Sequence, residues 1–537
     1  MAKIVLDDFN GGLCPGWYNF SGTEIDTVTY AAQNQHFFGY SVPFIRSAYG
    51  FIVPGNERFT AVTGVGALAN ARIPTCIAID DNNSNVDSTS GTSFYFAQNN
   101  KFFALDPTLD TIESTGGYPV TLTHGAHTGL VVDRIIQFGQ DSGVPTIHVF
   151  GRDATDAFGG IYDKTNGYSE DGLQGDTTNW PTCAFNINSP IIACVADNTR
   201  MYLAQDNKIH MVDGLGTDVT LNQLYPEVFV LETTARIVDM VDAYGKLWIL
   251  RAPWHSKAST SSGLQTFSTQ RKISVIVWNR NDTVVAAEDS IVLEDCNDAS
   301  YLFVSNGTIF AFVNGADNVN QLRYYDGRNF VLAAELGSGD DGIPGCKDAI
   351  CSYMGGILWQ DFDGKLFWYG KLLGAQTSGL FLLGRNQSAD AGSGGFIIPK
   401  KSGILYLASI VSSVGKIYKW NPLDTSATNG GEYYSIGNIQ LPKLSTVNSV
   451  TLYFRKTTNA DTGTSSVDIF SNSGTTSVTA TIDHDVDIPR GFKYIPLNLE
   501  ATNVMGMRFT WGNSATLANL PNIYRIEIDY TPTTRLK

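Results

Sequence analysis

Apolar side chains in this chain come in short alternating bursts, each closed by a polar turn. Residues 93–103 read SFYFAQNNKFF, residues 200–212 RMYLAQDNKIHMV and residues 357–369 ILWQDFDGKLFWY. Each reads as two strands joined by a pair, Asn-Asn, Asp-Asn or Asp-Gly, of the kind that tolerates positive φ in a tight hairpin. Side chains along such strands point alternately to opposite faces. No segment sustains a 3.6-residue apolar period, which excludes a helical solenoid.

The second strand of these hairpins recurs. The template of polar turn, alternating apolar strand and closing Asp, Asn or Gly occurs seven times, beginning at Lys101, Thr146, Lys208, Lys272, Gln321, Lys365 and Lys416. The intervals are 45, 62, 64, 49, 44 and 51 residues. A lone hairpin is marginal in water and needs neighbours on its faces. A unit of this length holding several short strands matches a β-propeller blade, and closing a ring of blades protects most of their edges. The expectation is an all-β chain with a propeller of about seven blades, without the WD ladder or kelch signature. Residues 1–60 are expected to form an N-terminal arm and ring-closing strands, and residues 61–427 the propeller. Residues 428–537 change pattern: six strand candidates end in YRIEIDYTP, where Tyr524, Ile526, Ile528 and Tyr530 alternate with Arg525, Glu527 and Asp529. That alternation predicts an antiparallel sheet with one buried face, read as a C-terminal β-sandwich.

Composition agrees with a folded β-rich protein: 43% hydrophobic and 16% charged residues, with 53 Gly, 24 Tyr and 29 Phe. The charge balance is 36 basic against 52 acidic residues, a net of −16. This argues against a sequence-reading nucleic-acid binder, which needs clustered Lys and Arg. The opening MAKIVLDDFNGG lacks the apolar core of a signal peptide, and no run is long enough to span a membrane. The seven cysteines, at 14, 76, 183, 194, 296, 346 and 351, lack CxxC spacing and read as reduced, mostly buried thiols.

Three stretches invite a chemical reading. HGAH sets His124 and His127 three apart, but no third zinc ligand is evident. IDHDVD puts Asp483, Asp485 and Asp487 on one face if the segment is a strand, where they would more simply guard a sheet edge. DDNNSNVD places Asp81, Asn83, Asn85 and Asp87 at positions 1, 3, 5 and 7 of an oxygen-rich loop. It has Val86 where an EF-hand loop needs glycine and Thr92 where it needs glutamate, so a plain surface loop is the simpler reading. No GxSxG, P-loop, HExxH or dinucleotide fingerprint occurs. The sequence therefore assigns no catalytic, cofactor-binding or metal residue, and no enzymatic activity is expected.

The DFNGGL opening, the unclassified propeller and the YRIEIDYTP ending together resemble the structural tail proteins of tailed bacteriophages, in particular the β-propeller nozzle or hub proteins of short tails. The resemblance is one of architecture across most of the chain, most specific at its two ends. It implies a homo-oligomeric ring, commonly a hexamer, beneath the head-to-tail adaptor. Such a ring extends the DNA-ejection channel and offers attachment surfaces to fibres or spikes. It further implies location in the virion tail, assembly in the host cytoplasm and transient, non-specific proximity to DNA. The alternative is a glycan-binding or glycan-hydrolysing propeller, using the nine tryptophans and many tyrosines to stack on sugars. A third reading, an intracellular scaffold, gives no reason for the C-terminal module.

Overall fold

The computed structural model describes residues 2–7, 9, 38–39, 59–62, 75–80, 92–106, 111–112, 118–122, 131–141, 144–152, 157–163, 167–171, 189–197, 199–213, 223–253, 272–280, 290–372, 377–385, 394–400, 403–411, 414–421, 433–456, 462–471, 475–512 and 520–533. They form seven antiparallel blades and one further sheet. Blade 1 is built on Thr75–Asp80, Thr92–Gln98, Lys101–Asp106 and Thr111–Ile112, with Val120–Thr121 also on the third strand. Blade 2 takes Val131–Asp141, Val144–Arg152, Ala157–Asp163 and Gly167–Asp171. Blade 3 takes Ala193–Ala196, Arg200–Gln205, Lys208–Asp213 and Gln223–Val230. Blade 4 is Ala235–Ala243, Lys246–Pro253, Ser274–Trp278 and Ser290–Val292. Blade 5 is Cys296–Ser305, Thr308–Gly315, Val319–Tyr325 and Phe330–Ser338. Blade 6 is Ile350–Tyr353, Gly356–Gln360, Lys365–Gly370 and Gly379–Arg385. Blade 7 has Ile397–Pro399, Leu405–Val411 and Val414–Trp420, and its fourth strand is Phe59–Ala61 from the other end of the chain.

The seven sequence repeats fall one per blade. Six are third strands, but Thr146 lies in the second strand of blade 2. That offset explains the short interval before it and the long one after it.

The apolar runs are explained by packing on both faces of each blade. In blade 1, Phe94 and Phe96 join the core shared with blade 7, while Tyr95 and Ala97 join the core shared with blade 2. In blade 6, Ile357 and Trp359 pack toward blade 5 and Leu358 toward blade 7. Buried clusters lie between every pair of neighbouring blades, seven in all, so the ring is closed. Burying one such large side chain is worth roughly 1.5–3 kcal/mol.

Tight turns hold the first hairpins of blades 4, 5 and 6. Tyr244-Gly245, Asn306-Gly307 and Met354-Gly355 all have φ between 48° and 77°, as primed turns require. The turns are laced together: Tyr244 Oη donates to Gly307 O, and Asn306 Nδ2 donates to Gly355 O at 3.3 Å.

The C-terminal module is one hydrogen-bonded sheet containing Ala2–Leu6, Ile523–Pro532, Tyr433–Phe454, Phe492–Thr510, Thr464–Ser471 and Thr475–Asp483, with Phe38–Gly39 paired to the long strand. Register shifts between Ile436 and Ser449 interrupt the pairing of its two long strands. Val450, Ile495 and Ile526 on one side of these shifts share a core with Val467, Met507 and Phe509 on the other. The same cluster includes Trp368, Leu407 and Trp420 of blades 6 and 7, so the module is packed on the ring. Two local expectations are corrected. A register shift at Tyr453/Phe454 turns Ile523 inward and leaves Tyr524 exposed, so the alternation of the last strand begins at Ile526. Residues after Asp483 are not strand: His484–Arg490 is a short helix ended by Gly491 at φ 88°. Asp487 is buried, where its Oδ2 accepts from Asp483 N and Lys493 Nζ at 2.9 Å each, while Asp485 is exposed; the three aspartates share no face.

Candidate functional site

The axis is where a propeller most naturally gathers residues from all its blades. Here one connection crosses it. Residues 346–349, entering blade 6, touch the first strands of blades on opposite sides of the ring. Asp348 Oδ2 accepts from Cys76 N of blade 1 at 3.0 Å. Lys347 Nζ donates to Asp239 Oδ2 of blade 4 and to Leu302 O of blade 5. A short segment reaches both blade 1 and blade 4 only by lying across the middle.

The charges there are held tightly. Asp239 is 1% exposed, its Oδ1 accepting from Met240 N and its Oδ2 from Leu302 N, both at 2.8 Å, in addition to Lys347. Arg134 of blade 2 donates through Nε at 3.0 Å and Nη2 at 2.7 Å to Ile192 O, at the entry to blade 3. Burial works against the Arg134 charge, but Asp348 and Asp239 outweigh it and hold the guanidinium above its ordinary value. The Asp239 carboxylate, already holding three donors, is a lock between blades. Burial pushes the nearby Cys76 and Cys194 thiols up, keeping them protonated and weakly nucleophilic.

Two other carboxyls have raised pKa values, a mark of functional sites. Burial lifts Asp361 to about 7, yet its oxygens accept from Gly342, Asp363 and Lys365 backbone N–H groups and so fix a turn. Burial lifts Asp133 to about 6 against the pull of Arg152, and its carboxylate accepts from Ile191 N at 3.2 Å, tying blade 2 to the start of blade 3. Both have structural work to do.

The residues singled out from sequence fare unevenly. His124, His127 and the loop Asp81, Asn83, Asn85 and Asp87 lie outside the described residues. Among the described residues no group of three His, Cys, Asp or Glu is placed to hold a metal. None of the five described cysteines, Cys76, Cys194, Cys296, Cys346 and Cys351, is in a disulfide, and the last two are buried. The six described tryptophans, Trp248, Trp278, Trp359, Trp368, Trp420 and Trp511, are at most 4% exposed. They fill cores and present no face to a sugar. Among the described residues no helix is long and apolar enough to cross a membrane.

The axial lock was missed in the sequence. Its signal was present as charged residues inside apolar inner strands, VVDRIIQF and ARIVDMVDA, and a Lys-Asp pair in GCKDAIC between two repeats.

The two ends of the chain make a second polar assembly. Ala2–Leu6 pairs antiparallel with the last strand, Ala2 opposite Tyr530 and Leu6 opposite Ile526. Glu527 Oε2 accepts from Lys3 Nζ and from Tyr453 Oη, each at 2.9 Å, and Arg525 reaches its other oxygen. Lys3, hydrogen-bonded to it, holds the Glu527 carboxyl below the usual carboxylate value. Just beyond the first strand, Phe9 is buried in the core that joins the module to blades 6 and 7.

No protein-family model and no curated protein matches the chain. Solved structures do resemble it at low identity. Raptor from Chaetomium thermophilum is 10% identical with a TM-score of 0.41, over 68% of this chain and 29% of that one. The Dos1 propeller is 12% identical with a TM-score of 0.37, over 67% and 95%. An exo-β-1,3-galactanase from Phanerochaete chrysosporium, solved with galactose, is 12% identical with a TM-score of 0.27, over 63% and 96%. At these values the likenesses assign no activity to this chain.

Proposed function

We propose that this chain is a structural subunit of a bacteriophage tail, of the nozzle or hub type, working as one member of a ring and carrying out no catalysis. The observation that carries the reading is the meeting of the chain's ends. The opening and closing segments, which bear the resemblance, lie 524 residues apart at Lys3 and Glu527 yet form neighbouring strands of one sheet. A subunit whose first and last described strands are paired with each other, and whose module packs on the ring of blades, suits a part that must not fray under load. The axial lock supports the same reading, because DNA would then pass between copies along the axis of their ring and not through a single propeller. A net charge of −16 suits a wall past which phosphate slides without being gripped. Heterologous contacts between copies close into rings when the rotation allows. On this reading the ring is a hexamer beneath the head-to-tail adaptor. It carries fibres or spikes on its outer surface and is assembled in the host cytoplasm into the virion.

The test is the mass of the purified protein in solution, alone and mixed with head-to-tail complex from virions. The expected result is a multimer of the 58.4 kDa chain, formed alone or on the complex. A monomer that ignores the complex and instead binds oligosaccharide saturably would overturn the proposal in favour of a glycan-directed propeller.

A further inference from the structure

Three short segments of the C-terminal module converge at one end of its sheet: residues 453–456, 490–494 and 522–525. Phe454 N donates to Gly491 O and Arg455 N to Asn522 O, both at 2.9 Å. Tyr453 stands opposite Phe492 on one side and Arg525 on the other. The stem of Lys456 lies so close over Gly491 that a Cβ there would be 2.5 Å from Lys456 Cε.

The composition of this surface is basic and aromatic. Its segments read YFRK, RGFKY and NIYR: five of the 36 basic residues and none of the 52 acidic ones. Arg455, Lys456 and Arg490 are exposed. So are Tyr494 at 54%, Phe492 at 39% and Tyr524 at 37%. The rings and cations are interleaved: the Arg490 guanidinium lies 5.9 Å from the Phe492 ring centre and that of Arg525 5.7 Å from Tyr453. Two of these cations are already engaged, Lys493 by Asp487 and Arg525 by Glu527, whose carboxylate lies on the same sheet face as Tyr453 and Tyr494.

We infer that this cationic, aromatic platform is the docking surface for an acidic face of a second copy of the same chain. The inference rests on the ring reading and adds the contact that would close it. Two bodies of net charge −16 repel each other, so a ring of them needs a local patch of opposite sign. With the exposed cations Arg455, Lys456 and Arg490 gathered here, the rest of the chain carries a net charge more negative than −16, which supplies the complement. Tyr, Phe and Arg are also the residues that anchor protein interfaces, whereas a mobile lysine-rich strip would suit phosphate steering alone. Because the patch and its complement are different surfaces, the contact is head-to-tail, the kind that generates rings.

The test compares the full-length wild type with the double variant Arg455→Glu/Lys456→Glu and with Tyr494→Ala. Each is weighed by sedimentation alone and on the head-to-tail complex, and its melting temperature is checked for intact folding. The expected result is assembly by the wild type and a loss of about tenfold or more in self-affinity for both variants. If the double variant fails to fold, benzoylphenylalanine placed at Tyr494 in the otherwise wild-type chain serves instead, with cross-linking to an acidic segment of a second copy expected. Wild-type assembly that both variants retain in full would overturn the platform while leaving the ring. Failure of the wild type to assemble at all would overturn both. Cross-linking at position 494 to added duplex DNA alone would reassign the platform to nucleic acid.

Discussion

Asp239 at the propeller axis sits at 1% exposure, where a lone carboxylate would be costly to ionise. Lys347 makes the charge tolerable. Lys347→Met should therefore destabilise the fold by roughly 3–5 kcal/mol, because it leaves Asp239 buried and uncompensated. Adding Asp239→Asn should recover part of that loss, and denaturant titration of the two single variants and the double variant measures the coupling. His148 gives a pH-dependent counterpart. Its ring lies 5.4 Å from Phe138 and 6.3 Å from Phe150, its Nε2 has no partner among the described residues, and burial lowers its pKa to about 4. An unfolded histidine titrates near 6.5, so between about 4 and about 6.5 the unfolded chain binds the extra proton. Stability then rises with pH through this window and is lost as acid is added. Asp133 and Asp361 work the other way, since their raised values favour the fold at low pH and lose stability as pH rises toward about 6 and about 7. His148→Phe should leave stability near its wild-type value at pH 8 and gain roughly 2–3 kcal/mol on it at pH 4.5. Equal melting shifts at both pH values would contradict the buried neutral ring. None of these residues could be assigned from sequence, because a charge within an apolar strand does not say which distant loop will meet it.

Strands were far more legible, and the reason is geometric. A strand covered on both faces by neighbouring blades must be apolar at successive positions, as SFYF and ILW are. Turn residues then mark where each strand stops. What the pattern could not carry was pairing between distant segments. The fourth strand of blade 7, Phe59–Ala61, is three residues long and indistinct in the sequence, yet it joins the first part of the ring to the last. Val62 N donates to Ile417 O at 2.8 Å, and the alternation of the ladder directs Thr60 N–H to the same strand. Thr60→Pro should remove that bond at a cost of roughly 1–3 kcal/mol. Hydrogen exchange should then quicken across Val414–Trp420 while blade 4 keeps its protection; unchanged exchange there would contradict ring closure by this strand. The helix His484–Arg490 shows the opposite failure. Alternating aspartates suggested a strand, but Gly491 provides a left-handed stop and Asp487 turns back to hold the Asp483 N–H. These local bonds outweigh the two-residue alternation.

Seven repeats made a ring legible because each repeat needs a neighbour on both sides, and only closure supplies one to the first and last. The joining of the termini was not legible, since MAKIVLDD and YRIEIDYTP carry no mark of their pairing beyond apolar alternation. On the ring reading proposed above, this joining and the axial lock suit the chain to assembly. The charge distribution extends the proposal: on the ring reading, an acidic chain with a cationic, aromatic platform at one end of its C-terminal sheet would associate in a directed manner. Direct imaging of particles formed by the purified chain on head-to-tail complex, with rotational averaging, would test that account. A closed ring of propellers coaxial with the complex, open along its own axis and with each C-terminal module against the next copy, is the expected image. Bare complexes beside dispersed single propellers would contradict it.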